Sequence, residues 1–346
     1  MTDSTLKLLE LINKGYSVNK ISEELNLSNK QLYNRLSLLG NKGFNFDRKY
    51  YYDGNIVYVP KTQLNQDNND GANIITSPDD EEFKALVMSD LHIGSELERL
   101  DLLNKVYEYC AKEGINIIIN AGDFINGMFG SKTKHDNVTK QIDYAIKNYP
   151  FDKNILNFTV LGNHDINSLI TVGQDFSTIL SSYRHDIVPL GYGTGEINVK
   201  NDKIHIRHPL VVADDELITY SQKIVLKGHS HRMQVTNYKN GIMIGIPSLS
   251  DIAFTENEIL PGAVKMTLKF RNGFFNNGIF EHLLVSDKIY RINSMYFELG
   301  RGMNINSNEP IKLEEKRVKK KVLKPLPPKQ EPMNQIEKFN ARYNIN

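Results

Sequence analysis

The sequence of 346 residues has no tryptophan and a single cysteine, Cys110. One thiol cannot build a disulfide framework, which excludes a stapled secreted scaffold and fits a reducing cytosol. Cys110 lies in the helical pattern 100–112 and reads as a packing residue. No apolar run is long enough to span a membrane. Met1-Thr2-Asp3 lacks the basic start and apolar stretch of a secretory signal. A cytoplasmic protein is therefore expected, and the abundance of Asn, Lys and Ile suggests a bacterial or phage origin. An excess of charge of one sign is missing too: 42 Lys and Arg oppose 41 Asp and Glu, a net +1, so no global field for a polyanion is set up. The length allows two to three domains.

Chemistry-bearing residues are concentrated where apolar runs end. The run 155–160 reads as a buried strand and leads into Leu161-Gly162-Asn163-His164-Asp165. An amide, an imidazole and a carboxylate at the mouth of a buried strand each need a partner. The pattern recurs four times: 84–89 runs into Asp90-Leu91-His92, 115–120 into Gly122-Asp123, 203–207 into His208, and 223–227 into Gly228-His229-Ser230-His231. Ligands in open sheets bind beyond the carboxyl ends of the strands, so five such ends would build one convergent site. In extended backbone, residues i and i+2 point the same way, which would aim Asp90 with His92, and His229 with His231, into one cavity. Gly122, Gly162 and Gly228 precede ligands, where a sharp backbone turn is expected.

Mixed imidazole, carboxylate and amide donors suit transition metals better than Mg or Ca, with Mn expected first and Fe, Zn, Co or Ni as alternatives. Two divalent cations held by only two carboxylates keep a net positive charge, which a phosphate would match. Such a pair can also lower the pKa of a bridging water.

Asp90-x-His92, Gly122-Asp123, Gly162-Asn163-His164-Asp165, His208 and Gly228-His229-x-His231 together resemble, in order, the five signature blocks of the calcineurin-like metallophosphoesterase superfamily. The resemblance covers roughly residues 83 to 251. It implies an α/β fold of two packed mixed β-sheets flanked by helices, and two divalent metal ions. One would be held by Asp90, His92, Asp123 and His231, the other by Asp123, Asn163, His208 and His229. A metal-bridging hydroxide would be the nucleophile, and His164, oriented by Asp165, would assist the leaving group. Two positions depart from the family pattern: Asn126 where an acidic residue is common, and Pro209 where glycine is common. His205 competes with His208 for the fourth block, but it sits mid-strand. His135, His185 and His282 read as ordinary packing or surface residues.

Residues 1–60 show three helical patterns and a hairpin over 46–59 with Asp53-Gly54 at its turn, the order of a small winged helix-turn-helix domain. Its third helix, from Asn29 to Leu39, is expected to present Lys30, Gln31, Tyr33, Asn34 and Arg35 outward. Residues 61–82 read as a flexible linker, 83–305 as the metallophosphoesterase domain, and 306–346 as a basic, proline-containing disordered tail. Lys132 and Lys134 lie where a loop would overhang the metals, and residues 167–182 read as a single helix. The expected function is hydrolysis of a phosphate ester, with a phosphodiester in DNA or RNA favoured by the appended helices and tail. A phosphomonoesterase acting on a phosphoprotein or nucleotide, or a DNA-binding regulator with a non-catalytic phosphoesterase domain, are the alternatives. The sequence does not set the oligomeric state.

Overall fold

The computed structural model describes residues 3–61, 71–128, 133–210, 223–238, 241–252, 260–299 and 302–304. Three helices open the chain: α1 (Asp3–Asn13), α2 (Val18–Glu24) and α3 (Asn29–Asn41). Ser17 caps α2 by accepting from the backbone N–H of Lys20, and Ser28 forms a capping box with Gln31 at the start of α3. The hairpin β1 (Phe46–Tyr51) and β2 (Ile56–Pro60) follows, then β3 (Ala72–Ile75) and β4 (Glu82–Met88). Next come α4 (Leu100–Glu113), β5 (Ile117–Asn120), α5 (Val138–Asn148), β6 (Leu156–Leu161), α6 (Asn167–Val172), α7 (Phe176–Tyr183) and β7 (Ile187–Tyr192). The remainder is strand: β8 (Thr194–Val199), β9 (Asp202–Arg207), β10 (Ile224–Lys227), β11 (Gln234–Tyr238), β12 (Gly241–Gly245), β13 (Gly262–Arg271), β14 (Phe274–Val285), β15 (Ile289–Glu298) and β16 (Gly302–Asn304).

Among the described residues the strands form two eight-stranded sheets, β11-β12-β10-β9-β8-β3-β1-β2 and β16-β15-β14-β13-β4-β5-β6-β7. In the second, β4, β5, β6 and β7 are neighbours in parallel; in the first, β9 and β10 are. Both sheets are mixed, because antiparallel hairpins close their edges. One buried cluster lies between the sheets and includes Phe83, Phe158, Ile206 and Leu226. A second lies under α4, α5 and α7 and holds Cys110, Phe124 and Phe176. Parallel strands covered on both faces explain the unbroken apolar runs of β5 and β6.

Three sequence expectations are corrected here. Where a flexible linker is read over 61–82, Ala72–Ile75 form a strand, parallel to both β1 and β8; residues 62–70 lie outside the described residues. The single helix read over 167–182 is two, because Gly173 turns left-handed at the end of α6. The third helix does not present Tyr33 outward: its ring is 7% exposed and stacks on His185, with centroids 4.5 Å apart. The tail over 306–346 and Lys132 also lie outside the described residues.

The N-terminal helices and hairpin share the inter-sheet cluster through Leu8, Ile21, Leu32, Leu36 and Tyr58. Their polar contacts with the second sheet fall where its strands begin. Asn19 donates to the carbonyl of Lys153, Arg48 to that of Ser181, and the Tyr58 hydroxyl meets Nδ1 of His185. Those partners precede β6 and β7, whereas Asn163 and His164 follow β6. The N-terminal elements therefore sit at the opposite end of β6, about 20 Å away for six residues of strand.

Candidate metal centre

The carboxyl ends of β4, β5 and β6 in one sheet, and of β9 and β10 in the other, bring Asp90, His92, Asp123, Asn163, His164, His208, His229 and His231 together. The expected convergence of the i and i+2 pairs occurs, but not through extended backbone. Asp90 (φ 54°), His92 (46°), Asp123 (52°), His229 (74°) and His231 (57°) all adopt the left-handed region. Only eight non-glycine residues do so among the described residues, so five at one spot mark strain concentrated at a functional site.

His208 is the centre of the arrangement. Its ring is completely buried, and its Nδ1–H donates to the carbonyl of Ala121 at 2.8 Å. A carbonyl can only accept, so Nε2 turns inward, 3.1 Å from Oδ2 of Asp123 and 3.1 Å from Oδ1 of Asn163. The glycines before the ligands make room for this ring. A Cβ at Gly122 would fall on the His208 ring, one at Gly162 on the Asp123 carboxylate and that ring, and one at Gly228 on Ser89, the Ala121 carbonyl and the ring. His231 repeats the scheme, with Nδ1 donating to the carbonyl of Ile252 at 2.8 Å and Nε2 standing 3.2 Å from Oδ1 of Asp90.

Nε2 facing a carboxylate oxygen is an arrangement that either a proton on the ring or a cation between the two atoms stabilises. Oδ1 of Asp90 is buried and has no hydrogen-bond donor, the kind of orphan that calls for an ion. Two groups of donor atoms, each within 4.8 Å of one another, are Asp90, His92 and His231, and Asp123, His208 and His229; a third, His92, Asp123 and His164, lies between them. Nδ1 of His229 stands 3.1 Å from Oδ1 of Asn163. The donor set fits divalent cations of the transition series.

Electrostatics agree with a site built around positive charge. Burial opposes ionisation of Asp90, but His231 and His208 outweigh it and hold the carboxyl at about 2. Burial would depress His208, yet Asp123 and Asp90 raise it to about 9. Burial and the neighbouring His164 instead push His92 down to about 3, which leaves a neutral ligand.

Asp165 is fully buried but does not orient His164 as expected. Its Oδ2 accepts from Gly162 N at 2.7 Å and Phe124 N at 3.0 Å, and its Oδ1 from Ile125 N at 2.8 Å. It clamps the loop after Asp123 to the loop after β6. The ring of His164 is held by Nδ1, which donates to the carbonyl of Asn126 at 2.6 Å. Nε2 of His164 lies 3.9 Å from Oδ2 of Asp123, and its backbone N–H donates to Oδ1 of Asp123 at 2.9 Å. No sequence signal marks Asn126 for this role, because a backbone carbonyl does the holding. Asn126 is itself fully buried.

His205, half-buried, pairs with Glu196 at 3.0 Å away from the cluster. Lys134 is engaged by Glu98 at 2.6 Å rather than standing free for a phosphate. Glu98 also accepts from Tyr144 and from the backbone of Gly94, which ties the loop after His92 to α5.

No curated protein matches this chain. Among solved structures, it resembles vacuolar protein sorting 29 from Cryptosporidium parvum, at 17% identity and a TM-score of 0.39 over 63% of this chain and 100% of that one. It also resembles an archaeal phosphodiesterase (16%, 0.39, 59% and 100%) and YfcE, a phosphoesterase from E. coli (15%, 0.39, 61% and 98%). The calcineurin-like phosphoesterase family model matches residues 83–233, a span that contains every converging ligand described above. Over that span, less than half of its length, the chain carries a calcineurin-like phosphoesterase domain.

Proposed function

We propose that the chain hydrolyses phosphodiesters in nucleic acid, using two divalent cations with Mn the first choice. The observation that carries this is the inward-facing Nε2 atoms of His208 and His231, each aimed at a carboxylate oxygen about 3 Å away. One cation is assigned to Asp90, His92, Asp123 and His231, and the other to Asp123, Asn163, His208 and His229. Bound cations of this kind lower the pKa of water and neutralise phosphoryl oxygens. The chain's own residues supply the rest. Asp123 lies between the two groups, fixed through the His164 backbone N–H, and His164 offers a proton at Nε2 to the departing oxygen.

Support for a polymeric substrate comes from the N-terminal helices, where Lys30, Gln31, Asn34 and Lys42 are exposed. These stand at the far end of β6, so only a long substrate reaches both them and the metals. A second reading, phosphomonoester hydrolysis with the helices as a docking element, is favoured by two observations. Tyr33 is buried against His185, and Arg35 donates to Ser4 at 2.6 Å.

The deciding experiment compares bis-p-nitrophenyl phosphate with p-nitrophenyl phosphate in Mn²⁺, with DNA as competitor. Diester cleavage inhibited by DNA and abolished in Asp123→Ala is expected, with His164→Ala slowing the nitrophenyl ester less than esters of poorer leaving groups. Monoester cleavage indifferent to DNA would establish the second reading, and full activity in both variants would sink the mechanism.

A further inference from the structure

Beneath the turn that holds His164, the core contains two polar side chains that apolar packing does not call for. Gln141 lies on the buried face of α5 beside Val138, Ile142 and Ala145, and is 0% exposed. Asn167, the first residue of α6, is 1% exposed. Both bond the same turn: Nε2 of Gln141 donates to the carbonyl of Gly127 at 2.9 Å, and Oδ1 of Asn167 accepts from the backbone of Met128 at 3.0 Å. Each leaves its other amide atom buried without a partner, Oε1 of Gln141 and Nδ2 of Asn167. A buried orphan of this kind is destabilising, and a leucine at either position would avoid it. The turn is tied further by Asn126, whose N–H donates to the carbonyl of Ile93 at 2.9 Å. Gly127 adopts φ +60°, and a Cβ there would press on the His164 carbonyl and Asn167.

We infer that Gln141 and Asn167 are positioning residues for His164. They fix the Asn126–Met128 turn, whose carbonyl keeps a proton on Nδ1 of His164, and so determine which proton the ring can release. This rests on the reading of His164 as proton donor. With Nδ1–H committed to Asn126, the mobile proton is the one on Nε2. As the P–O bond breaks, its electron pair goes to the leaving oxygen, which takes that proton and leaves a neutral imidazole protonated at Nδ1. When the turn slackens, Nδ1 loses its acceptor and the ring no longer delivers from a fixed direction.

Gln141→Met keeps length and apolar volume while removing the donor. The measurement is kcat and KM in Mn²⁺ for bis-p-nitrophenyl phosphate, whose leaving group departs readily as an anion, and for diphenyl phosphate, whose poorer leaving group relies on protonation. The expected result is a roughly tenfold fall in kcat on diphenyl phosphate against less than about threefold on the nitrophenyl ester, a fraction of a full general-acid contribution. KM and bound metal should be unchanged. Asn167→Ala should behave alike, whereas Asn167→Asp, which retains the acceptor, should keep the parent ratio. Equal losses on both esters would overturn the inference, because general loosening slows both. His164→Ala is measured alongside. If it too loses equally on both, the proton-donor reading has failed; if it separates the esters and Gln141→Met does not, only the positioning role has.

Discussion

The imidazole of His208 stands where a side chain at Gly122 would be, and Gly162 and Gly228 face the same ring. A fully buried ligand is thus seated by the absence of three side chains. Gly162 is the clearest position for a test, since its φ is not in the left-handed region and the cost of alanine there is contact alone, with the carboxylate and backbone N of Asp123 and the His208 ring. A methyl group at 162 would crowd Asp123 and His208 together. Gly162→Ala is expected to weaken Mn²⁺ binding by roughly 10–100-fold with the fold intact. Unchanged affinity by calorimetric titration would contradict this account of the glycines.

Removal of the cations should be visible in stability as well as in rate. A bound cation would lie among Asp90, Asp123, His208 and His231, whose buried donor atoms converge, and would bind the folded chain in preference to the unfolded one. At a free Mn²⁺ concentration a hundredfold above Kd, the stabilisation is about 2.7 kcal/mol per site. Thermal unfolding with and without chelator should show this shift in the unmodified protein. In Asp123→Ala the shift should be much smaller, since that carboxylate serves both groups of ligands.

At the other end of the sheet, His185 is buried between Tyr33 and Tyr58. Burial first, and then the Arg48 charge, lower its pKa to about 3. A histidine of depressed pKa is neutral when folded and takes up a proton on unfolding once the pH drops below about 6.5. Stability should therefore be lost as pH falls from about 6.5 towards 3, by about 1.4 kcal/mol per unit from this group alone. In His185→Phe the stability curve should be flatter by one proton between pH 6 and 4. Parallel curves for the two proteins would rule out the histidine as the source.

The same junction predicts how the chain melts. With Tyr33 and Tyr58 inside the core cluster shared by both sheets, the N-terminal helices should unfold together with the phosphoesterase elements. Tyr33→Ala should lower the stability of that single transition by about 3 kcal/mol. Two resolved calorimetric transitions would instead reveal a self-standing domain.

The convergence of the strand-end residues was the most legible part of this chain, because each follows an apolar strand and strand ends face one way. The local reason was not legible: alternation along an extended strand predicts the pairing of Asp90 with His92, yet both residues turn left-handed. The partner of His164 was hidden because it is a main-chain carbonyl, which carries no residue signature. Asp165 was misread for a related reason, since adjacency in sequence suggested a contact with His164 while its oxygens meet three backbone N–H groups. Tyr33 looked like a surface residue because helical spacing gives a face but not what covers it. β3 went unseen because a four-residue strand flanked by polar residues has too little pattern to stand out.

Five ligands held in a conformation that L-residues avoid also shape how this protein can change. Glycine at 92, 229 or 231 would relieve the left-handed backbone while deleting a ring that is buried or half-buried, so relief of strain and loss of packing act on stability in opposite directions.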